Sequence, residues 1–323
     1  MSDSAASPAF LSAPSRTRAV VVGGGTMGAD VAVVLARALC PVIVVETNAS
    51  RHDSIVERAR VALTAYEQAD RLEYLRVVAG LDEVPWQDVR LVIECIPESL
   101  PAKQGLFADL VSRSTADTIL ASNSSSFPIS DIAQGLETQG RMVGLHFFMP
   151  AHLVPLVEVV RGKNTELAAA ESLKTFMHRC GMVPVLVKKD IPGFLANRLQ
   201  HALAREAFSL LEQDVASAED IDAAVRFGFG FRFLAAGPVM QRDHAGLEVH
   251  TAAAATMYPS LSNTDKPATV LSERVAAGQY GMKSGQGFYT WTPESAAAER
   301  KRYDEVLRGG LKLIAADLPK IDP

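Results

Sequence analysis

A histidine and a glutamate, each set in an apolar run, are the residues of this sequence best suited to chemistry. His146 lies in Gly-Leu-His-Phe-Phe-Met-Pro, and Glu158 follows twelve residues later in Leu-Val-Glu-Val-Val. A carboxylate buried alone is costly, so Glu158 needs a partner. A carboxylate on one nitrogen of an imidazole fixes its tautomer and leaves the other nitrogen free to accept a proton. The pair therefore predicts a general base for an alcohol, whereas the plainer interpretation of His146 is a hydrogen-bonded core histidine.

A glycine-rich turn near the N-terminus predicts a nucleotide site. It joins an apolar strand at 19–23 to a helix at 26–39, and a second apolar strand at 42–46 follows. In such a βαβ unit the first glycine makes the turn, the second admits a pyrophosphate, and the third lets helix and strand pack closely. The three glycines are Gly23, Gly25 and Gly28. A tight turn without a ligand would show the same spacing.

The acidic residue that ends the second strand indicates which dinucleotide binds. Glu46 follows Gly28 by 18 residues, where a carboxylate would accept hydrogen bonds from ribose hydroxyls and repel a 2′-phosphate. NAD is therefore favoured over NADP, although Arg51 leaves the phosphate question open and Glu46 could be a solvated strand end. With His146 as base, a bound nicotinamide predicts the oxidation of a secondary alcohol.

Strands that alternate with helices predict an α/β fold, a Rossmann-type doubly wound sheet followed by an all-helical C-terminal domain. Further apolar strand patterns occur at 91–96, 118–121, 142–145, 153–160 and 183–188, with helical patterns at 52–69, 102–113 and 128–137. The pattern becomes helical after Pro192-Gly193. We predict three regions: a disordered leader at 1–17, an NAD-binding Rossmann domain at 18–191, and a helical substrate and dimerisation domain at 192–323.

Composition excludes several classes of function. The 323 residues carry a net charge of −5 and no basic stripe, which argues against a nucleic-acid partner. No apolar stretch is long enough to predict a membrane span. The three cysteines are isolated and show no metal-binding spacing, so we predict no metal and a reducing, cytoplasmic setting.

Six motifs in a fixed order make the chain resemble the L-3-hydroxyacyl-CoA dehydrogenase family. The motifs are Glu94-Cys-Ile-Pro-Glu98, Ser122-Asn-Ser-Ser-Ser126, His146-Phe-Phe-Met-Pro150, Leu156-Val-Glu-Val159, Pro192-Gly-Phe-Leu-Ala-Asn-Arg198 and Lys283-Ser-Gly-Gln-Gly-Phe-Tyr289. The resemblance covers residues 19–291. It implies NAD as cofactor, a small hydroxyacyl substrate, a role in fatty acid metabolism, and a homodimer.

The resemblance also implies a role for each matching residue. His146 would be the base and Glu158 its partner, while Ser125 and Asn197 would hold the substrate oxygen. The cofactor would contact Gly23, Gly25, Thr26, Met27, Gly28, Glu46, Glu98, Lys103, Asn123, Ser125 and Lys283. Without the resemblance, the serines could form a plain loop, Asn197 could cap a helix, and the two lysines could lie on the surface.

Several positions depart from the family and leave its branch open. Met149 stands where the family has Asn, and no lysine between residues 50 and 101 offers an anchor for a CoA phosphate. The segment 151–156 is similar to relatives that oxidise free acids: carnitine, gulonate (lambda-crystallin) or a pyridine carboxylate. Arg232 or Arg242 could bind such a substrate's carboxylate, although each could equally be a surface arginine.

Three functions are therefore in competition. The first is NAD-dependent oxidation of a 3-hydroxyacyl compound, as CoA ester or small acid, to the 3-oxo product. A dehydrogenase of a free hydroxy acid is the alternative within the family. Another oxidoreductase class is disfavoured because no tyrosine precedes a lysine by four residues. A non-catalytic nucleotide-binding protein, as in a crystallin, would predict loss of the His/Glu chemistry, which is present.

Overall fold

The computed structural model describes residues 10–323, which divide into two compact units. The first unit contains the described residues up to Asn197 together with the C-terminal residues 316–323. The second unit contains residues 198–315. The strands are β1 (Arg18–Val22), β2 (Val42–Val45), β3 (Leu75–Val78), β4 (Val89–Glu94), β5 (Ile119–Ser122), β6 (Met142–Phe147), β7 (Leu156–Val160) and β8 (Val183–Val187). The helices are α1 (Thr26–Arg37), α2 (His52–Thr64), α3 (Leu100–Arg113), α4 (Ile129–Ile132), α5 (Leu167–Arg179), α6 (Ala196–Glu212), α7 (Ala218–Ala223), α8 (Met240–Ala245), α9 (Leu247–Met257), α10 (Thr269–Ala276) and α11 (Pro293–Leu313).

All eight strands form one mixed sheet in the first unit, in the order β3-β2-β1-β4-β5-β6-β7-β8. Every neighbouring pair is parallel except β6 and β7, which are antiparallel. The predicted Rossmann-type sheet is therefore confirmed, with one antiparallel step. That step places strand β7 beside the end of β6 and brings their side chains into register.

Helices cover both faces of the sheet, which explains the unbroken apolar runs of its strands. Successive residues of a strand point to opposite faces. Accordingly, Ala19 and Val21 pack with α1 and α5, whereas Val20 and Val22 pack with α3 and α4. Because all four side chains are buried, strand β1 lies at the centre of two cores.

The start and end of the chain differ from the prediction. Residues 1–9 of the predicted leader lie outside the described residues, but Leu11 and Ala13 are buried. The backbone N–H of Leu11 donates to Ser172 Oγ at 3.0 Å. At the other end, Arg179 forms an ion pair with Asp322. Apolar contacts therefore order residues 10–17, and the tail packs with the first unit instead of the helical one.

Three predicted elements need correction in length, and one strand was not predicted. Strand β3 was not predicted, because it is an edge strand whose side chains are mostly half-exposed and carry little apolar pattern. The helix predicted at 128–137 reduces to the single turn α4, and the one predicted at 52–69 ends at Thr64. Strand β7 begins at Leu156, after a loop that was expected to be extended.

The second unit consists of helices with little core of their own. Of the apolar side chains in residues 198–315, all of which the structure describes, only those of Ala236 and Ala296 are buried. Helix α11 begins with a capping box between Thr292 and Ser295. None of the helices within residues 10–323 is long and apolar enough to cross a bilayer.

Candidate active site

The antiparallel step of the sheet brings His146 and Glu158 directly opposite each other. His146 Nδ1 lies 2.8 Å from Glu158 Oε2. The glutamate side chain is fully buried and the histidine side chain is 5% exposed. Strand pairing, and not a flexible loop, therefore fixes the distance between the imidazole and the carboxylate.

The second oxygen of Glu158 is occupied by backbone donors. Oε1 accepts hydrogen bonds from the N–H groups of Leu195 at 3.0 Å and Ala196 at 2.8 Å, where α6 begins. Burial acts to raise the pKa of Glu158, but the hydrogen bonds from His146 and from these two N–H groups outweigh it and hold the pKa below its usual range. Glu158 is therefore an anion at neutral pH and favours the Nδ1–H tautomer of His146.

Two aromatic rings flank the imidazole. The ring centroid of Phe148 lies 4.5 Å from that of His146 in an edge contact, and that of Phe194 lies at 5.5 Å. With Nδ1 bound to Glu158, these contacts restrict the ring's rotation. The remaining nitrogen, Nε2, is the atom that can accept a proton.

A cavity of about 860 Å³ opens at the carboxyl ends of the parallel strands, as expected for a doubly wound sheet. Among its lining residues are nine of the eleven predicted for the cofactor: Gly23, Gly25, Thr26, Met27, Glu46, Glu98, Lys103, Asn123 and Ser125. Met149, Arg51 and Cys95 also line it.

The glycine positions fit a bound dinucleotide. Gly23 has a φ of +102°, and a Cβ there would lie 2.7 Å from the carbonyl oxygen of Cys95. A Cβ on Gly28 would lie 1.9 Å from the carbonyl oxygen of Gly23, so this residue serves the packing of α1 on β1. Gly25 faces open space, and α1 begins at Thr26 without a side-chain cap. The free N–H groups of its first turn suit a pyrophosphate.

Glu46 lies where the adenosine ribose is expected, at the end of β2. Its Oε2 accepts from Gly24 N–H at 3.1 Å and its Oε1 from Asn48 N–H at 3.0 Å. Arg51 Nη1 lies 3.4 Å from Oε2. Backbone donors thus fix the carboxylate, and Arg51 is paired with it instead of being available to a 2′-phosphate.

A chain of alternating charges borders the same cavity. Lys103 Nζ donates to Glu94 Oε1 at 2.6 Å, with both side chains buried, and lies 3.4 Å from Glu98 Oε2. Glu98 in turn accepts from the backbone N–H and Oγ of Ser125. Burial acts to raise the pKa of Glu98, but the Ser125 N–H and Lys103 outweigh it and lower the pKa. Ser125 is therefore held by Glu98, at the edge of the cavity.

Four of the predicted site residues lie in the second unit or directly before it. Lys283, Arg232 and Arg242 lie exposed in the helical unit. Asn197 is the second residue of α6, directly after the two residues whose N–H groups bind Glu158. The roles predicted for these four residues stay predictions.

Some contributors to the site were missed by the sequence reasoning. Ser122 Oγ donates to Glu94 Oε2 at 2.6 Å, and Ser124 Oγ donates to Glu98. Asn123 Oδ1 accepts from the backbone N–H of Phe147 at 2.9 Å, which joins the end of β5 to the strand that carries His146. A polar run directly after a buried strand was the available signal for Ser122 and Ser124, whereas Asn123 was itself predicted, as a cofactor contact. Within residues 10–323, no cluster of His, Cys, Asp or Glu could hold a metal ion.

Comparison with known proteins decides the family. The model of the 3-hydroxyacyl-CoA dehydrogenase NAD-binding domain matches residues 18–191, and that of the C-terminal domain of the same family matches residues 193–291. The chain belongs to the 3-hydroxyacyl-CoA dehydrogenase family. Its cofactor is NAD, in agreement with the prediction from the glycine turn and Glu46.

Relatives within the family act on different kinds of substrate. The chain is 34% identical over 287 residues to 5-formyl-3-hydroxy-2-methylpyridine 4-carboxylate 5-dehydrogenase of Mesorhizobium japonicum, covering 86% of this chain and 92% of the relative. It is also 34% identical to 3-hydroxyadipyl-CoA dehydrogenase of Escherichia coli, covering 86% of this chain and 59% of that protein.

Two solved structures are similar to most of the chain. A crystal structure of the pyridine-carboxylate 5-dehydrogenase, described as an NAD⁺-dependent dismutase, has a TM-score of 0.87 and 31% identity, covering 92% of this chain and 98% of that one. FadB2 of M. tuberculosis has a TM-score of 0.71 and 34% identity, covering 85% and 99%. The chain is thus an NAD-dependent oxidoreductase of this family, with relatives on both CoA esters and a free acid.

Proposed function

We propose that this enzyme oxidises a small free carboxylic acid that carries an alcohol, with His146 as general base. The His146–Glu158 pair carries the proposal, because the N–H of the neighbouring Phe147 donates to Asn123, a residue that lines the NAD cavity. When bound, NAD supplies the acceptor for the hydride. His146 Nε2 takes the hydroxyl proton, and the anionic Glu158 stabilises the imidazolium that results. Ser125 and Asn197 would hydrogen-bond the substrate oxygen as it becomes a carbonyl.

Three observations favour a free acid over a CoA ester. The pyridine-carboxylate relative matches along nearly its whole length and with the higher TM-score of the two structures compared. The absence of lysine between residues 50 and 101 removes a ready anchor for the CoA phosphates. Met149, 65% exposed at the cavity, offers an apolar surface suited to a compact ring or chain. Arg232 or Arg242 would bind the substrate's carboxylate from the helical unit.

A hydrated aldehyde is a second candidate substrate. The pyridine-carboxylate relative is named for a formyl compound, and its crystal structure is described as that of a dismutase. A geminal diol presents the same carbon-bound hydrogen and hydroxyl as a secondary alcohol. Its oxidation to a carboxylic acid releases one hydride and one proton, so His146 would perform the same proton transfer.

A substrate panel followed by NADH formation tests the proposal. The panel contains 3-hydroxybutyryl-CoA, small 3-hydroxy acids, and pyridine carboxylates with a hydroxymethyl or formyl group. We expect turnover of a free acid, abolished in His146→Gln while NADH binding is retained. Turnover of the CoA ester alone would contradict the free-acid proposal and leave the base assignment standing. Full activity of His146→Gln would contradict the base assignment.

We also propose a homodimer formed through the helical unit. The unit exposes large apolar side chains, including Phe227 at 72%, Val239 at 80% and Leu313 at 79%. Exposed apolar area of this extent is typical of a surface that another protein covers. Light scattering should give a dimer mass, and a monomer at assay concentration would contradict the proposal.

The free thiols of all three cysteines in the described residues support a cytoplasmic setting.

A further inference from the structure

A second buried charged cluster joins three segments of the first unit, away from the His146–Glu158 pair. Asp30 lies in α1 with a fully buried side chain, and Arg58 of α2 donates to both of its oxygens, at 2.7 and 3.1 Å. His152, in the loop between β6 and β7, places Nδ1 3.3 Å from Asp30 Oδ1. The hydroxyl of Tyr66 donates to the backbone carbonyl oxygen of His152.

Arg58 occupies both carboxylate oxygens of Asp30. Burial acts to raise the pKa of Asp30, but the nearby His152 and the hydrogen bonds from Arg58 outweigh it and hold the pKa below its usual range. A bidentate guanidinium already satisfies both carboxylate oxygens. The His152 side chain is only 8% exposed. Its position beside the carboxylate therefore depends on the conformation of the loop between β6 and β7.

Two segments of this cluster, and the segment that leads into the third, also line the NAD cavity. Helix α1 contributes Thr26 and Met27, the segment before α2 contributes Glu46 and Arg51, and the loop between β6 and β7 contributes Met149. The same loop directly follows the end of the strand that holds His146. Its position therefore affects both the cofactor and the base.

We propose that His152 is a positioning residue, which through Asp30 holds the loop at residues 148–155 against the NAD cavity. Arg58 fixes Asp30 between α1 and α2, and the Asp30 carboxylate is the group that faces the buried Nδ1 of His152, at 3.3 Å, where this nitrogen has no hydrogen bond within the described residues. The Tyr66 hydroxyl fixes the backbone of the same residue. The loop thereby presents Met149 to the cavity and keeps Phe148 against the imidazole of His146. The effect on turnover rests on the proposed function, whereas the effect on NADH binding rests on the cavity alone.

Substitution of His152 tests the proposal without breaking the Asp30–Arg58 pair. We compare His152→Leu, which has no donor, with His152→Gln, which can donate to Asp30, and with His178→Leu, an exposed histidine on α5, as control. If the unheld loop is competent for binding only part of the time, the Kd for NADH should rise by roughly fivefold to tenfold in His152→Leu. Hydrogen exchange of residues 148–155 should accelerate, and His152→Gln should restore most of both properties.

The outcomes separate this proposal from the proposed function. Wild-type Kd and loop protection in His152→Leu would overturn it, as would equal defects in the Leu and Gln variants. A His178→Leu defect of similar size would also overturn it, because the effect would then not depend on Asp30. If the wild type turns over no member of the substrate panel, the proposed function fails while NADH binding and hydrogen exchange still decide the role of His152.

Discussion

Replacing Glu158 by Gln tests the base assignment most directly, because the structure fixes how the amide must orient. Oε1 of Glu158 faces two backbone N–H donors, from Leu195 and Ala196, and Oε2 faces His146 Nδ1. An amide NH₂ turned toward the two backbone donors would leave both unsatisfied, at about 1–3 kcal/mol each. The Gln carbonyl oxygen should therefore face the backbone, and its NH₂ should face His146.

That orientation forces the wrong tautomer on the imidazole. With an NH₂ group opposite Nδ1, His146 must accept there and carry its proton on Nε2. A protonated Nε2 cannot act as a base, so kcat should fall by roughly 10²–10⁴-fold, the contribution typical of general acid–base catalysis. The fold should survive because volume and backbone hydrogen bonds are retained.

The assay is kcat at saturating NAD and substrate, together with the Kd for NADH and ¹⁵N NMR of the histidine tautomer. We expect the Kd for NADH to stay unchanged. The ¹⁵N chemical shifts of His146 should show its proton on Nε2. His146→Gln is the matched control, and the double variant should be no slower than either single one, since the pair acts as a unit. A Glu158→Gln enzyme within about threefold of wild-type kcat, an energy difference below 1 kcal/mol, would refute the reasoning.

Three other perturbations address the cofactor cavity and the pH dependence of stability. Lys103→Met should lower the free energy of unfolding by about 3–5 kcal/mol, because it leaves a buried carboxylate unpaired; urea denaturation measures this, and an equal loss in the half-exposed control Lys174→Met would contradict it. Glu46→Gln should shift the ratio of kcat/KM for NADP over NAD upward by about tenfold, since a neutral side chain no longer repels a 2′-phosphate; an unchanged ratio would contradict the ribose assignment. The pKa values of Glu98 and Glu158 lie below the usual 4.5, so their stabilisation holds above that pH and is lost as pH falls through the lower folded values. The Tm should therefore be steady near neutral pH and fall below about pH 4, with a smaller acid loss in Glu98→Gln.

The sequence predicted the sheet where its strands are buried on both faces. The runs at β1, β2, β4 and β5 are mainly apolar and mostly buried, and helices cover them on each side. The edge strand β3 was not predicted, because it is only partly buried. Its residue Arg76, which pairs with Ile43 of β2, is exposed. Apolar pattern reports burial, so an element with little burial leaves little trace in the sequence.

The site was predictable in its residue types and less so in its connections. His146 and Glu158 could be paired from chemistry, but the direction of β7, which sets their register, has no signature in the residues themselves. The N–H groups that fix Glu158 belong to Leu195 and Ala196, and backbone donors carry no residue identity. Likewise, Ser122 can donate a hydrogen bond to Glu94 because the parallel strands β4 and β5 end side by side.

Glu158 accordingly does more than orient an imidazole. It is the buried anion on which strand β6, strand β7 and the first turn of α6 converge, through three hydrogen bonds to its two oxygens. Asn197, predicted to hold the substrate oxygen, is the next residue after the last of those donors. The charge that orients the imidazole of His146 therefore also fixes the backbone from which Asn197 projects. The base and the predicted oxygen ligand should respond together to any change at this carboxylate.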